Sequence, residues 1–91
     1  MIKNIRHTGI VVIDLTKSML FYTEKLGFEV SKRMNESGSF IDKILGINNL
    51  MVTTVKMELK NGQMIEFLDY TTHKKKFSEM FINDFGPTHL A

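Results

Sequence analysis

Two alternating runs that meet at Asn61-Gly62 constrain this chain more than any other feature. From Met51 to Leu59, residues Thr53, Val55, Met57 and Leu59 fall on one face, and Thr54, Lys56 and Glu58 on the other. Gln63-Met-Ile-Glu-Phe-Leu-Asp-Tyr70 alternates in the same way. A period of two is the signature of a strand. Asn-Gly is the favoured two-residue hairpin turn, because both positions tolerate positive φ. The spacing predicts a β-hairpin over residues 51–70.

Upstream, Ile5-Arg-His-Thr-Gly-Ile-Val-Val-Ile13 is rich in β-branched residues and reads as a strand. Asp14 is placed to cap the next element. Leu15, Met19, Tyr22 and Leu26 then recur at spacings of four, three and four, one face of a helix about three turns long. Phe21 widens that stripe. Gly27 stands where a helix ends on a left-handed residue, and Phe28, Val30 and Lys32 alternate as a second strand. Arg33 to Ser39 is polar and predicts a loop. Phe40-Ile-Asp-Lys-Ile-Leu-Gly46 predicts one or two helical turns with Phe40, Ile41, Ile44 and Leu45 on the apolar side. Thr71 to Lys76 reads as a solvated linker, Phe77, Met80 and Phe81 as a short helix, and Thr88-His-Leu-Ala91 as the opening of another strand. An apolar strand signal at residue 91 implies continuation in the complete protein.

The order strand, helix, strand, short helix, hairpin describes one α+β unit whose helix covers one face of a mixed or antiparallel sheet. The other face is then bare, which implies a second copy of the unit, later in the chain or in another subunit. Size argues the same way, since a chain of 91 residues hides about 60–65% of its unfolded surface. Twelve Lys and Arg against ten Asp and Glu are too weak a bias for nucleic acid or an anionic membrane. The absence of Cys excludes disulfides and thiolate chemistry. No apolar run reaches the length of a membrane span, and the start lacks a signal peptide's apolar stretch. These features predict a soluble, cytoplasmic chain.

Three residues could carry chemistry. His7 shares a strand face with Ile5, Gly9, Val11 and Ile13, and Glu66 shares one with Met64, Leu68 and Tyr70. A lone carboxylate among apolar neighbours is costly. Either Glu66 faces solvent at a sheet edge beside a lysine such as Lys56, or His7 and Glu66 meet and bind a divalent ion. His89, after Gly86-Pro87, is a third candidate donor. Imidazole and carboxylate suit Zn, Ni, Co, Fe or Mn, but the three residues form no short metal motif. His73 and the Lys74-Lys75-Lys76 run read as wet surface. A nucleophile elbow and a Gly-rich phosphate loop are both lacking.

Three stretches, in order, resemble the vicinal oxygen chelate superfamily, which includes glyoxalase I, methylmalonyl-CoA epimerase, fosfomycin and bleomycin resistance proteins, and extradiol dioxygenases. They are Ile5-Arg-His-Thr-Gly-Ile-Val-Val-Ile-Asp-Leu with Phe21-Tyr-Thr-Glu-Lys-Leu-Gly-Phe28, then Asn61-Gly-Gln-Met-Ile-Glu-Phe-Leu-Asp-Tyr70, then Gly86-Pro-Thr-His-Leu-Ala91. The resemblance implies a βαβββ module, used in pairs to form a cup. It divides the chain into a first module over residues 1–70, a linker over 71–86 and the first strand of a truncated second module over 87–91. Carried over residue by residue, it implies His7, Glu66 and His89 as ligands of a divalent ion (Zn, Ni, Co, Mn or Fe), with Glu66 as the catalytic carboxylate. The implied activity is a metal-dependent lyase or isomerase acting through an enediolate or enolate on a small oxygenated substrate. The alternatives are a non-catalytic small-molecule or antibiotic-binding protein and an extradiol dioxygenase-like protein. The implied partner is a homodimer mate or a paired second module.

Overall fold

The computed structural model describes residues 1–86 and 90. Its elements are β1 (Thr8–Val11), α1 (Leu15–Glu24), β2 (Glu29–Ser37), α2 (Ser39–Leu45), β3 (Met51–Glu58) and β4 (Met64–Tyr70). The four strands form one sheet in the order β1-β4-β3-β2. β1 runs parallel to β4, and the other pairs are antiparallel. This is the α+β fold with βαβββ topology, α2 being a short insertion between β2 and β3.

Local chemistry accounts for the ends of α1. The Asp14 carboxylate accepts from the backbone N–H of Lys17 at 3.0 Å, pairing one of the donors that a helix start leaves without an intrahelical acceptor. After the helix, Gly27 takes φ 79°, a left-handed conformation that side chains disfavour. α1 lays Leu15, Met19 and Tyr22 on one face of the sheet, against Val55, Met57, Ile65 and Phe67. Leu26, the last member of the predicted stripe, lies beyond the helix and is 48% exposed; Phe21 is exposed too. The stripe is therefore one turn shorter and narrower than its spacing predicts.

Other expectations are corrected as well. Arg33 to Ser37 is strand, not loop, because pairing with β3 from Arg33↔Val55 to Ser37↔Met51 overrides a polar, turn-like composition. The hairpin turn has three residues, not two. Leu59 N–H donates to the Gln63 carbonyl, Gly62 N–H donates to the Leu59 carbonyl, and Gly62 alone takes positive φ. Residues 77–81 form no helix, and Phe77, Met80 and Phe81 are exposed. The first strand is also shorter than the apolar run, starting at Thr8. The short helix over 39–45 forms as predicted and ends on left-handed Gly46, yet Phe40 and Ile44 are exposed. The strand predicted from Thr88 lies outside the described residues. Among the described residues, no helix is long and apolar enough to cross a membrane.

Candidate functional site

Register divides the sheet cleanly. Ile10, Phe67 and Val55 are in line across β1, β4 and β3, and they face α1. On the opposite face the next rows read Gly9, Glu66, Lys56, Lys32 and then Val11, Leu68, Thr54, Met34. A charged row thus runs beside an apolar one. α1 does not reach this face, and Val11 is 67% exposed. The face is covered on its β3 side, where Thr54 is 6% exposed, and towards one end. There Val52 is buried, and Ile47, from the loop after α2, shares a cavity wall with Ile13 and Tyr70.

His7 directly precedes β1, and its position puts its side chain on the face of Gly9 and Glu66. Its Nε2 lies 3.8 Å from Glu66 Oε1, with the two side chains 28% and 15% exposed. That distance permits an ion pair when His7 is protonated, but it is too long for a hydrogen bond. Glu66 is not on a sheet edge, since β4 lies between β1 and β3. Lys56 is its in-register neighbour, yet no ion pair joins the two. Thus the structure brings His7 and Glu66 together, while His89 lies outside the described residues. His73 is exposed, its Nδ1 2.9 Å from Thr72 Oγ1.

His7 Nδ1 is buried with no hydrogen-bond partner, the one such side-chain atom among the described residues. Leaving a buried polar atom unpaired costs about 1–3 kcal/mol. Stability therefore does not explain the placement of this imidazole. For a divalent ion, ordinary bond lengths on a tetrahedral centre put imidazole and carboxylate donors about 3.4 Å apart. The observed pair needs a closure of a few tenths of an ångström, roughly the bond-length tolerance of a metal site. In chemical type and position, these two donors fit such an ion. Among the described residues, no group of three or more His, Cys, Asp or Glu converges on one point.

Gly9 is the site residue whose role sequence reasoning missed. It lies in register with Glu66, and its lack of a side chain lets Leu68 pack against the strand: a Cβ there would stand 3.1 Å from Leu68 Cδ1. The available signal was a glycine inside a β-branched strand, a frequent mark of close approach.

A family model described as Glyoxalase/Bleomycin resistance protein/Dioxygenase superfamily matches residues 4–86. Among solved structures, the chain is similar to a glyoxalase family protein from Bacillus cereus, with a TM-score of 0.83 and 21% identity over 96% of this chain and 60% of that one. It is also similar to SMU.1112c, with a TM-score of 0.51 and 16% identity over 100% of this chain and 59% of that one. At these identities the likeness is one of fold. The chain spans about three-fifths of the length of each. No curated protein gives a significant match.

Proposed function

The chain belongs to the Glyoxalase/Bleomycin resistance protein/Dioxygenase superfamily, and from that premise we propose that it is a small-molecule-binding module, its ligand held on the sheet face opposite α1. The observation that carries this reading is exposed Val11 and half-buried Leu68 set beside Gly9 and Glu66 on a face that α1 leaves open. An apolar surface with a few convergent polar groups is what a small-molecule site requires. On this reading residues 1–70 are the first module, 71–86 a linker and 87–91 the first strand of a second. The open face is completed by that second module or by a homodimer mate.

A second reading, a metal-dependent lyase or isomerase, is favoured by the 3.8 Å approach of His7 and Glu66. His7 and Glu66 would hold a divalent ion together with His89. Such an ion, when bound, supplies a Lewis acid that stabilises negative charge on a substrate oxygen. The role of this chain's own residues is then narrow. Glu66 orients the substrate or takes a proton from the carbon beside the substrate's carbonyl, and Val11 and Leu68, which packs against Gly9, exclude water.

Two measurements on the full-length protein separate the readings. The binding module predicts that small oxygenated or antibiotic-like ligands raise the melting temperature equally with and without a chelator. The absence of any such ligand from a broad screen would sink it. The metal reading predicts tight titration of Zn, Ni or Mn, lost in both His7→Ala and Glu66→Gln. Unchanged affinity in both folded variants would eliminate it.

A further inference from the structure

A second candidate site lies where the chain leaves β1. After β4 the backbone turns back: Thr72 Oγ1 accepts from Met51 N–H at 2.9 Å, and His73 takes φ 58°, a left-handed conformation unusual for a non-glycine residue. Lys74 then pins the returning segment. Its Nζ donates to the Ile13 carbonyl at 2.9 Å and to Asp69 Oδ1 at 2.7 Å. Between this segment and the end of β1 is a cavity of about 440 Å³, with Val11, Ile13, Tyr70, Phe77 and Met80 among its apolar walls.

The charge of the lining is one-sided. Lys74, Lys75 and Lys76 all contribute to it, and no acidic side chain does. Asp69 neutralises Lys74, whereas Lys75 and Lys76 have no ion-pair partner among the described residues. A lysine run on a linker is ordinarily just wet surface. Here it is held at the mouth of an apolar cavity by a two-bond pin and a left-handed turn, a built arrangement.

We propose that this cavity binds a small apolar monoanion, a hydrophobic carboxylate, with its body between β1 and Phe77 and its head at Lys75 and Lys76. The volume falls within the range of small-molecule sites, about 300–1,000 Å³. The apolar walls supply affinity, and the unpaired ammonium groups supply the preference for negative charge. None of its lining residues belongs to the His7–Glu66 pair, but Val11, Ile13 and Tyr70 put it at the covered end of the face opposite α1, so the proposal rests on the small-molecule-binding reading and names the ligand class at that end.

Titration of the intact protein with decanoate, decanol and decyltrimethylammonium, followed by amide chemical shifts, tests the proposal. Decanoate should saturate and bind about tenfold more tightly than the other two. Its shift changes should centre on residues 11–13 and 73–77. Lys75→Glu combined with Lys76→Glu, both at exposed positions, should remove that preference, and His7→Ala should leave it intact. Equal binding of all three probes would overturn the proposal, as would an unaffected lysine variant. Shift changes centred on Glu66, or loss of binding in His7→Ala, would place the ligand at the Glu66 end of that face, leaving the binding reading standing and overturning this proposal.

Discussion

Two adjacent register pairs show how differently the two faces of one sheet are used. Ile10↔Phe67 points towards α1, and Phe67 is fully buried; Val11↔Leu68 points the other way, and Val11 is 67% exposed. The α1 face is closed by Leu15, Met19, Tyr22 and Phe28 over a continuous apolar cluster. The opposite face combines a row exposed at its ends, Val11 and Met34, with a charged one and with an imidazole whose Nδ1 has no partner. The α1 face therefore carries most of the burial, with Val52 and Thr54 buried on the other. The other holds features that folding does not account for, and these are what a ligand, a second module or a second copy can use.

If that division is right, the largest effect belongs to Phe67→Ala. Phe67 is buried at the centre of the α1 face and meets the Tyr22 ring edge-on at 4.8 Å between centroids. Its truncation should cost about 3–5 kcal/mol in chemical denaturation, and a loss below about 1 kcal/mol would break the comparison. Leu15 and Leu26 sharpen it from within the same sequence stripe. Leu15→Ala should cost about 2–5 kcal/mol. Leu26→Ala should cost under about 1 kcal/mol, because a half-exposed side chain leaves little cavity behind. Equal losses at the two positions would mean that α1 extends further over the sheet than the structure places it.

The stripe also shows where sequence reasoning reaches its limit. Periodicity located α1 and the hairpin strands, since alternation and four-three spacing are local properties of the chain. It could not show that the helix stops before Leu26, which depends on where Gly27 turns the backbone. Nor could it find the strand over Arg33–Ser37, whose stability comes from a partner about 20 residues away in sequence. The fold class was legible because the pattern of elements sets it. The face shared by His7 and Glu66 was legible from strand parity, whereas their adjacency required knowing that β1 lies beside β4. Gly9 was legible only as a glycine inside a β-branched strand; what packs against it, Leu68, required the register.

A smaller effect, of opposite sign, is expected at His7. Replacing it with Leu removes a buried nitrogen that has no partner and keeps an apolar side chain of moderate size. Denaturation midpoints should therefore be unchanged or raised, by up to about 1 kcal/mol in stability. Tight divalent-ion binding, if present in the wild type, should disappear in the same variant. A loss of stability above about 2 kcal/mol would make His7 a structural residue and assign the open face a share of the folding energy.

The smallest expected effect, at Gly9, separates the two faces most sharply. Gly9→Ala adds one methyl group to a strand position without positive φ, so the backbone tolerates it. The new Cβ meets Leu68 Cδ1 at 3.1 Å. That contact is tight, but it is with the far end of a side chain on the partly open face, which can rotate away. The unfolded chain loses freedom on Gly→Ala replacement, a gain for the folded state of about 0.4–1 kcal/mol. Net stability should rise by about 0.5 kcal/mol, read from the urea midpoint at constant slope. Ligand binding on the open face should weaken, because the methyl group pushes Leu68 Cδ1 off its place on that face. Stability up and binding down in one substitution is an outcome a purely structural face cannot give. If stability fell with binding unchanged, Leu68 would be immovable and the clearance at Gly9 would serve packing, which would return this part of the open face to the core.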